Sequence, residues 1–110
     1  TPQNHWCVFD DALINYAKQE IDTLENSGKP YNLTLLTSDT HMPEGSYSKT
    51  CIAQGAVKFK DIIKCTSTML NALVVHMDKL GYLKNTTVVI MGDHLAMTNP
   101  LSKKLNNKKF

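Results

Sequence analysis

The stretch Thr86-Thr87-Val88-Val89-Ile90-Met91-Gly92-Asp93-His94 decides how this chain is read. Thr86–Met91 is rich in β-branched and apolar residues and too short for a helix, so it predicts a buried strand. Gly92 ends it, and a carboxylate and an imidazole follow side by side. The C-terminal end of a buried strand is where α/β enzymes gather their chemistry. Asp93 and His94 there are candidate ligands for a divalent metal such as Mn²⁺ or Zn²⁺. The competing assignment is an Asp capping the next turn beside a partly exposed His. In either case two donors leave a metal site incomplete.

A second strand is predicted upstream, over Tyr31–Thr37, short, apolar and bounded by turn residues. The loop after it, Ser38 to about Ala53, carries Asp39, His41, Pro43, Glu44, Gly45 and Cys51; its density of turn formers argues against any regular element. A long helix is predicted from about Gly55 to Leu80. Phe59, Ile62, Ile63, Thr66, Met69, Leu70, Leu73, Met77 and Leu80 recur there every three or four positions. Gly81 is placed to cap it.

Strand, crossover helix, strand predicts two parallel strands joined right-handedly. Both read as buried on two faces, and two strands make a poor sheet, so the expectation is part of a larger α/β sheet. Parallel strands would bring His41 and the Asp93-His94 turn to one sheet edge. A His there can bind an oxyanion, act as acid or base, or ligate metal; the alternative is a loop His bonded to backbone. Asp39 either orients His41 or caps its own turn.

Around this unit lie an N-terminal helix, Asp10 to about Asn26, and a helical piece over Leu101–Lys109 after Asn99-Pro100. Leu13, Ala17, Ile21 and Leu24 mark one face of the first helix, Asp10 and Asp11 can cap it, and Gly28 and Pro30 end it. His76 falls near the core stripe of the long helix and reads as a packing residue; His5 lies in an undefined stretch. Asn32-Leu33-Thr34 and Asn85-Thr86-Thr87 match a glycosylation pattern too short to carry weight.

Composition suits a soluble globular chain, 42% hydrophobic and 20% charged over 110 residues, enough for one domain or part of one. All the basic residues are lysines, and Lys103, Lys104, Lys108 and Lys109 crowd the end. Without Arg or a basic patch, nucleic acid is not an expected partner; the tail reads as a solvated helix face or frayed end. Cys7, Cys51 and Cys65 form no zinc pattern. A disulfide between Cys51 and Cys65 and a pair of buried thiols both remain open. No run approaches a membrane span of about 20 apolar residues. The opening Thr1-Pro2-Gln3-Asn4-His5 is no signal peptide and looks like the middle of a longer protein.

Three blocks together resemble a known family. They are Trp6-Cys7-Val8-Phe9-Asp10-Asp11, then Thr37-Ser38-Asp39-Thr40-His41-Met42-Pro43-Glu44-Gly45, then Val88-Val89-Ile90-Met91-Gly92-Asp93-His94-Leu95-Ala96-Met97. In that order they look like the catalytic domain of bacterial phosphoglycerol transferases of the membrane-derived-oligosaccharide type, grouped with lipoteichoic acid synthase and the sulfatases in the alkaline phosphatase superfamily. The resemblance implies a partial alkaline-phosphatase-like (sulfatase) α/β fold, with residues 1–110 forming part of one catalytic domain. It implies that Asp93 and His94 ligate one metal ion (Mn²⁺, or Zn²⁺ or Mg²⁺) and that His41 contacts the phosphate or glycerol of the substrate. It also implies a Cys51–Cys65 disulfide and the periplasmic domain of an inner-membrane protein, anchored by segments outside this chain.

The implied reaction moves phosphoglycerol from phosphatidylglycerol to a periplasmic glucan, with attack by a Thr whose motif, like that of an acidic metal ligand, is missing here. The piece alone is then expected to be inactive and, with open sheet edges, prone to self-association. Cys7 replaces the family's usual Gly and Gly92 its usual Ser. The competing readings are a phosphoethanolamine transferase or sulfatase on the same scaffold, or a non-catalytic interaction module that keeps the fold.

Overall fold

The computed structural model describes Gln3 and residues 6–106. Four helices order them: α1 (Asp10–Asn26), α2 (Lys49–Ala53), α3 (Phe59–Lys79) and α4 (Pro100–Asn106), with a 3₁₀ turn at Tyr82–Lys84. His5, Lys108 and Lys109 fall outside the described residues.

α1 and α3 form the core. Ile14, Ala17 and Ile21 of α1 meet Leu73 and Met77 of α3, and Leu33, Leu35, Met69, Leu70 and Tyr82 pack around them. Ile14, rather than its neighbour Leu13, takes the buried place on α1. A second cluster joins Cys51 and Ala56 to Ile62 and Cys65. Cys51 and Cys65 are joined by a disulfide with their Cα atoms 5.7 Å apart, which fixes α2 onto α3. α3 starts where Asp61 accepts the Val57 and Lys58 N–H groups, bonds that hold its carboxyl below the usual range. It ends at Gly81, whose φ of 77° supplies the left-handed step that stops a helix.

Three expectations are corrected. The loop after Thr37 does contain a regular element, the short α2, because Ser48 accepts the Cys51 N–H and caps it. Asp10 does not cap α1, whose N-cap is Phe9 without a side-chain bond: its carboxylate reaches Ser38, while Asp11 accepts the first-turn Ala12 N–H at 2.7 Å as well as the Thr50 hydroxyl. Finally, no strand ladder forms among the described residues, only a single bridge between Gln3 and Val8. Residues 31–37 and 86–91 belong to no helix or strand and line a cleft of about 520 Å³ instead of pairing.

The cleft explains why the parallel pair is absent. A ladder needs backbones about 4.8 Å apart, and here the first segment packs on the α1–α3 core while the second stands across the cleft from it. Along 31–37 burial alternates with period two: Leu33 and Leu35 turn to the core while Leu36 is 65% exposed. The second segment was expected to be buried on two faces, yet Val89, Ile90 and Met91 are 63–81% exposed. The radius of gyration, 15.7 Å, exceeds the roughly 13 Å of a compact chain this long. No helix is long and apolar enough to cross a membrane, among the described residues.

Glu25 spans the start of the cleft, accepting hydrogen bonds from Tyr31 and Thr86, the first residues of the two segments. The Thr86 bond, then that from Tyr31, holds its carboxyl below the usual range. Beside it Asp22 accepts from His76 at 2.8 Å and Tyr82 at 3.1 Å, so His76 is a bonded packing residue that ties α3 to α1. Those bonds, His76's foremost, lower the Asp22 carboxyl.

Candidate functional site

His41 sits in a loop braced on all sides. Its N–H donates to the Ser38 carbonyl at 3.1 Å, and its own carbonyl accepts from Gly45 at 3.0 Å. Ser46 N–H then closes onto the Asp39 carbonyl at 2.7 Å, and the Met42–Pro43 bond is cis. Gly45 has φ 77°, and a Cβ there would stand 2.8 Å from the Asp39 carbonyl oxygen. Only glycine fits that closure without strain.

The imidazole of His41 is exposed, and two contacts orient it. Nδ1 lies 2.8 Å from the Met42 carbonyl, so it carries the proton when the ring is neutral and Nε2 presents a lone pair to solvent. The indole of Trp6 stacks on the ring, centroids 4.1 Å apart and planes 30° apart. Sequence reading did not single out Trp6, because nothing in the order of residues shows that the N-terminal stretch folds back over this loop.

Below the imidazole lies a buried carboxylate pair. Asp10 Oδ1 accepts the Ser38 N–H at 2.8 Å, and Oδ2 accepts the Asp39 N–H at 3.3 Å and the Thr66 hydroxyl at 3.0 Å. Asp39 Oδ2 in turn accepts the Asp10 N–H at 3.1 Å. Both side chains are fully buried. Neither role foreseen for Asp39 describes that bond, since its carboxylate accepts from α1. Asp11 adds a tether to α2, accepting the Thr50 hydroxyl at 2.8 Å.

Asp93 and His94 occupy the turn after the second extended segment. His94 Nδ1 lies 2.8 Å from the Leu95 carbonyl, leaving Nε2 as the lone-pair nitrogen, 3.5 Å from Asp93 Oδ2. Asp93 Oδ1 accepts the His94 N–H at 3.0 Å. A carboxylate oxygen and an imidazole lone pair held that close fit two adjacent positions around one divalent cation. Both side chains are more than 60% exposed. Among the described residues no group of three His, Cys, Asp or Glu side chains is placed to hold a metal, so His41 does not complete this pair.

The two histidines therefore share a design: each has Nδ1 turned to the next residue's carbonyl, leaving Nε2 as the lone-pair nitrogen.

Comparison with known proteins gives this geometry a context. A family model described as Sulfatase matches residues 1–110. Phosphoglycerol transferase I of Xanthomonas axonopodis pv. citri (strain 306) is 39% identical over 110 residues, covering 94% of this chain. The proteins of the same name from Escherichia fergusonii and Citrobacter koseri are each 30% identical, covering 98% and 96% of it. The chain spans 15–16% of the length of these relatives. No solved structure matches.

Proposed function

This chain belongs to the sulfatase family, and on that premise we propose that it is part of a phosphoglycerol transferase, with Asp93 and His94 as two ligands of its divalent metal. The observation that supports this most is the Asp93–His94 pair, with Oδ2 and Nε2 3.5 Å apart and the imidazole tautomer set for ligation. The names of the relatives supply the reaction class.

When bound, a cation such as Mn²⁺ would neutralise charge on phosphoryl oxygens and favour ionisation of a hydroxyl nucleophile. The chain's own part is binding and orientation. Asp93 and His94 would hold the ion; His41, with Nε2 turned outward beside Trp6, would bind the phosphate or glycerol of the donor. We propose phosphatidylglycerol as that donor and a periplasmic glucan as acceptor. The nucleophile and the remaining ligands would come from other parts of a longer polypeptide. The Cys51–Cys65 disulfide supports a periplasmic location, since such bonds persist in oxidising compartments.

The test is transfer of labelled phosphoglycerol from phosphatidylglycerol by the full-length enzyme, with and without added Mn²⁺. Asp93→Asn and His94→Ala should each abolish metal-dependent transfer. Metal-dependent transfer at the wild-type rate by either variant, or preferential use of phosphatidylethanolamine, would overturn the reading. This chain by itself should release no glycerol phosphate, and its open segments should make it self-associate at high concentration.

A further inference from the structure

We infer that Asp10 is a positioning residue for His41: its buried carboxylate fixes the base of the loop that presents the imidazole. An acidic residue at the start of a helix ordinarily satisfies that helix's own N–H groups. Asp10 instead serves donors far away in sequence, the N–H groups of Ser38 and Asp39 and the hydroxyl of Thr66 on α3. The Asp39 carboxylate answers by taking the Asp10 N–H. The two acids thus lock the first turn of α1 to the residues just ahead of His41.

From this clamp to the imidazole the path is short. Ser38, whose N–H is held by Asp10, accepts the His41 N–H through its carbonyl. Asp39, also held by Asp10, accepts the Ser46 N–H and so closes the far side of the loop. Moving the carboxylate would move both ends of the turn that carries His41. An ionised carboxylate can only accept, and here it meets three donors. Asn has nearly the same shape but would set an NH₂ group against at least one of them, leaving that donor unpaired in a buried place.

The inference rests on the reading of His41 as a substrate-binding residue, and two separate readouts keep the ideas apart. Hydrogen exchange in the full-length enzyme reports the clamp without reference to activity. In Asp10→Asn, exchange over residues 37–47 should speed up while the amides of α1 and α3 stay protected. Steady-state transfer from phosphatidylglycerol reports the link to His41: Asp10→Asn should lower kcat/KM by roughly tenfold to a hundredfold, the effect of displacing a contact group by about 1 Å. That loss should vanish when His41 is already Ala, because coupled residues are not additive.

Unchanged exchange over 37–47, or a full additional loss on top of His41→Ala, would overturn the inference. Should Asp10→Asn not fold, Thr66→Val decides: it removes one donor while keeping the carboxylate and both backbone bonds, and should give a smaller change of the same pattern. No local change in Thr66→Val would then count against the clamp. A His41→Ala enzyme with normal kcat/KM would defeat the proposed role of His41, and the exchange result would still judge Asp10.

Discussion

Two regions of this molecule share one plan and differ in how far the chain completes it. Residues 31–47 and 86–97 each pass through a stretch without helix, turn, and present a histidine whose Nδ1 faces the next carbonyl. The first is built into the body: Leu33 and Leu35 rest on the α1–α3 core, Asp10 holds Ser38 and Asp39, and Trp6 covers the imidazole. The second has Glu25 at its start and, among the described residues, only neighbour-to-neighbour bonds around its histidine. The His41 loop is thus braced within a small piece of sequence, whereas the Asp93–His94 pair, if it holds the proposed metal, needs donors that converge from elsewhere.

The largest expected contrast is in packing. Ile62 is fully buried beside the disulfide, and Ile62→Ala should destabilise the chain by about 2–5 kcal/mol. Ile90 is 63% exposed, and Ile90→Ala should change stability by less than about 0.5 kcal/mol. Urea unfolding of the two variants checks this; equal losses would mean that the second segment is packed after all. Breaking the Cys51–Cys65 bond, which closes a separation of 14 residues, should cost about 3 kcal/mol. Unfolding with and without reductant measures it, and exchange around Asp93 should not respond.

Glycine gives a smaller but cleaner contrast. Gly45→Ala must place a Cβ 2.8 Å from a backbone carbonyl at positive φ, and should lose about 1–2 kcal/mol or more. Gly92 has nothing nearer than 3.6 Å to an added Cβ and no positive φ, so Gly92→Ala should be close to neutral. Thermal unfolding of the pair distinguishes a braced turn from an open one. A sensitive Gly92 would break the comparison.

The helices were legible because their periodicity is local: the α3 stripe and its glycine stop are written in consecutive residues, and of that stripe only Leu80 lies exposed. The two predicted strands do not form among the described residues, since pairing depends on what fills the cleft between them. At the site, His41, Asp93 and His94 could be picked out because each follows an apolar run. The Asp10 clamp could not, because it joins residues 28 to 56 positions apart. One signal was available: Thr66 interrupts an otherwise apolar stripe, and a buried hydroxyl needs a partner.

The finest test concerns a bracket between the two regions. Glu25 takes bonds from Tyr31 and Thr86, and these hold its carboxyl below its ordinary value of 4.5. A carboxyl lowered in the folded state contributes stability that is complete above its unfolded pKa and is lost as pH falls through the folded one. Asp22, lowered chiefly by its His76 bond, acts in the same direction from an ordinary value of 3.8. Urea midpoints should therefore fall as pH drops below about 4.5. Glu25→Gln should start lower at neutral pH and show a shallower acid decline, because a neutral amide has no proton to gain there. Exchange at residues 86–91 should rise in that variant more than at residues 33–37, which keep their contacts with the core. If both segments loosened equally, Glu25 would be supporting the core itself, and the contrast between an anchored and an open region would have to be withdrawn.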